Sequence, residues 1–250
     1  MAGHSKWKQI KRQKGVNDQK RGAEFTKLVR EITMAARNGG VDPDGNSRLR
    51  LAILKAREGN MPYDLIERAI TKGAGGGDAS QLDEITYEGY GPGGTAVLVE
   101  AMTDNRNRTV AEIRSAFGKG GGNLGEAGSV AWVFNTRGVV ILNLDGKLDP
   151  DEVTLVAIDA GAEDFVVEED VLAVYAKPED LETVRKALAE GGYEPASAEV
   201  EKVPSTTVPL AQKEALQTLK LLDRLEDLDD VQKVYSNADF PDEVLATYTG

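Results

Sequence analysis

The sequence predicts an α+β protein of three domains: an N-terminal three-helix bundle, then two ferredoxin-like α/β domains, the second inserted into the first. Three observations carry this prediction. Apolar residues recur at helical spacing from Asp18 to Ile70, a glycine run (GAGGG, residues 73–77) interrupts the pattern, and residues 138–203 read β-α-β-β-α-β. The expected boundaries are 1–77 for a basic helical domain with an N-terminal arm, 78–135 plus 205–250 for an outer α/β domain, and 136–204 for the insert.

Residues 1–16 lack helical periodicity and predict an extended arm. From Asp18, Phe25, Leu28, Val29, Ile32 and Ala36 share one helical face, and Gly39-Gly40 ends the helix. Lys20, Lys27, Arg30 and Arg37 fall on the opposite side, which predicts one packed face and one cationic face, with Glu24 and Glu31 at the edge of the basic arc. A second helix carries Leu49, Ala52, Ile53 and Ala56 and closes at Gly59-Asn60. A third starts at Pro62 and packs Leu65, Ile66, Ala69 and Ile70. Asp42 to Asn46 superficially matches a calcium loop, but Ile53 stands where the twelfth-position glutamate belongs, so the segment reads as a turn and helix cap.

In the body, Ile85–Tyr90 and Thr95–Thr103 are predicted strands, followed by a helix near Thr109–Phe117 and a strand near Ser129–Asn135. The insert then reads as strand 138–144, helix 150–160 capped by Asp149, hairpin strands 164–167 and 171–176, helix 178–190 and strand 195–203. A short strand at 206–208, a leucine-rich helix at 210–227 and a strand at 231–236 predict that the outer domain repeats the same order.

Charge is divided along the chain. Residues 1–75 hold 16 Lys and Arg against 8 Asp and Glu, a net of +8; the whole chain is −12, so the remainder sums to −20. A basic end on an acidic body attracts a polyanion and orients it, which makes nucleic acid the expected partner. The absence of cysteine excludes disulfides, a thiolate nucleophile and a cysteine metal site, in keeping with a reducing compartment. No apolar run approaches the roughly 18 residues of a membrane span. The expectation is a cytoplasmic monomer that needs no cofactor or metal and acts on neither a membrane nor a small-molecule substrate.

Candidate contacts fall into two groups. The first is Lys6, Trp7, Lys8, Lys11, Arg12, Lys14, Lys20, Arg21, Lys27 and Arg30. An aromatic between lysines can stack on a base while the ammonium groups meet phosphates; it can equally anchor the arm to its own domain. The second is Arg106, Arg108 and Lys119, with Arg114, beside Gly120-Gly121-Gly122. Such a loop can bring backbone N–H groups to a phosphate, or can simply form the turn after an arginine-rich helix. The spacing of Gly120, Gly122 and Gly125 matches a dinucleotide fingerprint in the wrong context, after a helix rather than a strand. His4 is the only histidine, and the acidic runs 168–170 and 227–230 sit at predicted turns where carboxylates are usually solvated, so catalysis is not expected.

The blocks MAGHSKW, TKGAGGG, YEGYGPGG, TDNRNRT, KGGGNLGEAGSVAWVF and LEDLDDVQKVYSN, spread over the whole chain, resemble the YebC-like family. That family includes PmpR-type bacterial regulators and a mitochondrial activator of cytochrome oxidase translation. The resemblance implies a cytoplasmic, non-enzymatic gene-expression factor with a basic helical domain and two α/β domains. It implies Lys6 and Trp7 as contacts, with Arg106, Arg108 and Lys119 in a second block. Members are described as DNA-binding transcriptional regulators, and some as translation factors on ribosomal RNA that relieve stalling at proline-rich sequences. A protein-interaction scaffold with incidental basic charge is the third expectation, from a different class.

Overall fold

The computed structural model describes residues 18–75, 82–144, 148–168 and 171–248, and only the backbone of 18–21 and 168. The chain forms two compact units. One runs from the helical region to Trp132 and resumes at Thr206; the other is Val133–Ser205.

The first unit begins with α1 (Asp18–Gly39), α2 (Ser47–Glu58) and α3 (Tyr63–Gly73). Asn46 starts α2 by accepting the Leu49 N–H on its side chain, while its own amide donates to the Ala35 and Gly40 carbonyls. The second helix stops at Gly59, followed by Asn60 at φ 57°. Leu28, Ile32, Leu49, Ile53 and Ile66 fill the bundle core, each worth about 1.5–3 kcal/mol when buried.

Gly73, expected to open a flexible joint, is instead the buried last residue of α3. A Cβ there would stand 2.7 Å from Ala36 Cβ and collide with the Thr33 carbonyl, so the glycine permits α3 to close on α1. Gly73→Ala is expected to cost about 1–3 kcal/mol, read as a lowered urea midpoint. Residues 76 and 77 of the run lie outside the described residues.

The α/β part of this unit holds β1 (Asp83–Tyr90), β2 (Ala96–Thr103), α4 (Arg106–Lys119), β3 (Asn123–Leu124), then β8 (Val208–Pro209), α7 (Gln212–Glu226), β9 (Val231–Ser236), β10 (Ala238–Asp239) and α8 (Asp242–Thr247). Its sheet runs β3-β1-β2-β9, with every pair antiparallel. Val97, Val99, Ile113, Phe117, Leu219, Leu222 and Val234 form the core between this sheet and helices α4 and α7. The 4-1-3-2 strand layout of a ferredoxin-like sheet is present, but its third seat is taken by β1, which precedes the first strand. Residues 206–208 were expected there. Val208–Pro209 pairs with β10 in a separate two-stranded ladder instead.

The second unit contains β4 (Phe134–Asn143), α5 (Pro150–Asp159), β5 (Asp164–Glu168), β6 (Val171–Ala176), α6 (Leu181–Glu190) and β7 (Ser197–Pro204), with antiparallel sheet order β5-β6-β4-β7. This is the ferredoxin-like order read from sequence. One correction concerns the separate strands expected at 129–135 and 138–144. Of the first, only residues 134–135 are strand, since 129–130 bend and Ala131–Val133 form a 3-10 turn; a single strand, Phe134–Asn143, then passes unbroken through Gly138, where a Cβ would come within 2.9 Å of Leu181 Cβ. The glycine lets α6 approach the sheet and does not break the strand.

Candidate nucleic-acid interface

The cationic face of α1 is not a free surface. Lys27 Nζ donates to the Glu226 carbonyl at 2.5 Å, and Arg30 Nη1 donates to the Asp229 carbonyl. Glu226 is the last residue of α7, so both cations meet carbonyls at and just beyond a helix C-terminus, where the partial charge is negative. Arg37 donates to the Leu82 carbonyl at 2.8 Å, and Arg48 makes a two-point bond to Glu31 (2.7 and 3.1 Å) while also reaching Glu84. The expectation of an exposed basic arc on α1 is therefore corrected at Lys27 and Arg30, which are half-buried against carbonyls far along the sequence, while Arg37 stays exposed with one bond to Leu82.

Asp230 is the hub of this junction, with its side chain only 2% exposed. Its Oδ2 accepts from Arg108 Nη2 and Thr109 Oγ1 at 2.7 Å and from Thr103 Oγ1 at 3.1 Å, and Arg30 Nη2 forms an ion pair with Oδ1 at 3.0 Å. Burial alone would raise this carboxyl; the bonds from Arg108 and Thr109, the Arg30 charge and the Thr103 bond outweigh it and hold the group below the usual aspartate range. The expectation of a solvated run at 227–230 fails here, although Asp227 and Asp229 are exposed.

The second basic group is also largely committed. Arg106 pairs with Asp83 at 2.8 Å, and Arg108 bridges Asp104 (2.8 Å) and Asp230. Gly120 to Gly122 form a helix stop rather than a cradle. Gly122 N–H donates to the Phe117 carbonyl at 2.9 Å, with Gly121 at φ 78°, so the N–H groups of the turn satisfy orphan helix carbonyls. Arg114 and Lys119 stay exposed, without an ion pair among the described residues. Lys6, Trp7, Lys8, Lys11, Arg12 and Lys14 lie outside the described residues. Lys20 and Arg21 sit on the first turn of α1, where only the backbone is described.

A second buried carboxylate had not been singled out in the sequence. Glu88, on β1, accepts backbone N–H groups from Gly128 (2.6 Å), Val130 (2.7 Å) and Ala131 (2.7 Å). Burial works against its ionisation, yet these three bonds keep it below the usual glutamate range. The only local signal was an acid on a strand that packs its neighbours. Glu88→Gln retains the shape but turns an NH2 group toward N–H donors. About 1–3 kcal/mol is expected to be lost, with amide hydrogen exchange accelerated at Gly128, Val130 and Ala131 before other sites in the sheet.

Comparison with known proteins adds a family to this geometry. Residues 5–76 match the model described as the TACO1/YebC protein N-terminal domain, and residues 82–238 match the TACO1/YebC second and third domain. A probable transcriptional regulatory protein of Herpetosiphon aurantiacus is 54% identical over 99% of this chain and 98% of its own. One of the same description from Hahella chejuensis is 55% identical over both full lengths. The crystal structure of a conserved hypothetical protein, Aq1575 from Aquifex aeolicus, superposes with a TM-score of 0.83 at 44% identity, covering 91% of this chain and 94% of that one.

Proposed function

Because this chain belongs to the TACO1/YebC family, we propose that it is a nucleic-acid-binding regulator of gene expression that grips the phosphate backbone through its N-terminal basic segment. One observation carries the reading. Residues 6–21 hold Lys6, Lys8, Lys11, Arg12, Lys14, Lys20 and Arg21 with Asp18 as their sole acid, on a chain whose residues from 76 onward sum to −20. Phosphates are drawn to the first and repelled by the second. Lys27, Arg30, Arg106 and Arg108 act differently, as positioning residues that seat the bundle on the α/β part or brace α4.

The first reading takes DNA as the polymer, in keeping with relatives named probable transcriptional regulatory proteins. A second reading, structured ribosomal RNA, is favoured by how the bundle uses its side chains. On α2, Arg48 is bound to Glu31 and Glu84, and Arg50 donates to the Pro43 carbonyl at 2.7 Å. The exposed row of α3 mixes Asp64 and Glu67 with Arg68, and Arg68 pairs with Asp64. Neither helix offers a row of uncommitted donors for reading base edges in a major groove.

The test is binding of fluorescent duplex DNA and of a structured RNA across about 50 to about 200 mM salt, together with sedimentation of ribosomes from extract. Binding that weakens linearly on a log–log plot is expected for the preferred polymer. Co-sedimentation with ribosomes selects RNA, and selective retention of particular DNA sequences selects the transcriptional reading. Weak binding to both polymers, lost by about 200 mM salt, would leave a protein scaffold.

A further inference from the structure

Trp132 is 76% exposed and Tyr90 is 38% exposed. A tryptophan left this open is unusual in a folded chain, where the residue is highly buried on average. Its orientation is nevertheless fixed. The Trp132 Nε1–H and the Tyr90 hydroxyl both donate to the same acceptor, the Ser129 carbonyl, at 3.0 Å each. Ser129 lies in the loop that Glu88 holds through Gly128, Val130 and Ala131. Glu88 and Tyr90 are two residues apart on β1 and so share a face of the strand. One strand therefore supplies the staple and one ring, and the stapled loop supplies the other ring. The register of β3 sets Asn123 opposite Tyr90.

Resting on the nucleic-acid reading above, we infer that Tyr90 and Trp132 form a pre-set platform on which an unpaired nucleobase stacks. Stacking needs only the ring faces, and those are what the two hydrogen bonds leave free. A polyproline peptide is the other ligand that aromatic surfaces take. It is held in part by an indole N–H donating to a peptide carbonyl, and here that N–H is already engaged by Ser129. The ordered rings also avoid an entropy loss that a mobile tryptophan would suffer on binding. Unpaired bases are presented by RNA loops and bulges and by single strands, and are absent from an intact duplex.

The experiment uses the full chain, which has two tryptophans. Trp7→Phe leaves Trp132 as the sole indole, and Trp132→Ala is its reciprocal. Each is titrated with single-stranded RNA while indole emission is followed. In parallel, anisotropy of a fluorescein-labelled copy reports binding itself. The platform predicts strong quenching in Trp7→Phe at saturation, little quenching by blunt duplex RNA, and binding weakened roughly 5- to 100-fold in Trp132→Ala. Trp132→Phe keeps a ring without the Nε1–H bond and is expected to recover most of that loss. A rise in anisotropy with unchanged emission, together with unweakened binding by Trp132→Ala, would overturn the platform while leaving the nucleic-acid reading intact. No rise in anisotropy with any variant or the parent overturns the platform, and the nucleic-acid reading falls with it when labelled duplex DNA also fails to bind. Quenching by a proline-rich peptide but not by RNA would reassign the rings to a peptide.

Discussion

Replacing Lys6, Lys8 and Lys11 together with glutamate is expected to weaken nucleic-acid binding by about a hundredfold or more near physiological salt. Each phosphate contact releases condensed counterion, so three lost contacts should flatten the log–log salt slope by roughly 2–3. The substitutions also reverse charge, turning attraction into repulsion in the densest cationic stretch of the chain. Affinity at one salt concentration cannot separate this from unfolding; the slope and an unchanged thermal midpoint can. If the variant bound both DNA and RNA as tightly as the parent, the N-terminal segment would lose its assigned role. The contrast with Lys27→Ala is informative, because that side chain is seated on the Glu226 carbonyl. Its loss is expected to lower stability more than to change the salt slope.

Asp230→Ala is expected to be the most destabilising single change at the junction, at about 3 kcal/mol, measured by urea unfolding. Removing a buried carboxylate strands the groups that were arranged around it, here Arg108, Thr103, Thr109 and Arg30. The figure is set at the low end of the range because Arg108 is 43% exposed and recovers hydration from solvent. Asp230→Asn keeps the volume and an acceptor and is expected to lose less. The same site gives an acid signature. Asp230 and Glu88 both have folded-state pKa values below their unfolded ones, so the stability they contribute is present above about pH 4–5. It is lost as pH falls through the lower folded values, because the unfolded chain takes up protons first. Unfolding midpoints between neutral pH and about pH 3 are expected to fall less in Asp230→Asn than in the parent, since the variant has already lost its share.

Much of the architecture was legible before any coordinates. The spacing of Phe25, Leu28 and Ile32, the cap at Asn46, the stop at Gly59-Asn60 and the Asp149 cap are local instructions, and each is found where it was expected. Strand alternation likewise gave the β-α-β-β-α-β order of the insert. Residues 136–137 were read as a break before a strand opening at Gly138, because a glycine carries the same letter whether it opens a strand or admits a helix in mid-strand; only Leu181, packed against it, decides. The outer sheet was misassigned for a related reason. Two-residue Val208–Pro209 has too little pattern to say which partner it pairs with, and the third seat went to β1.

The candidate site divides along the same line. The sequence by itself determined the charge segregation, the helix faces, the family and the concentration of cations before residue 22, since all of these are sums or periods over neighbouring residues. Tertiary structure alone decided which charges are spent. Lys27 meets a carbonyl 199 positions away, Arg108 meets an aspartate 122 positions away, and Glu88 is satisfied by N–H groups some forty residues later. A cation's availability to a phosphate depends on what already surrounds it in space, and periodicity along the chain does not encode that.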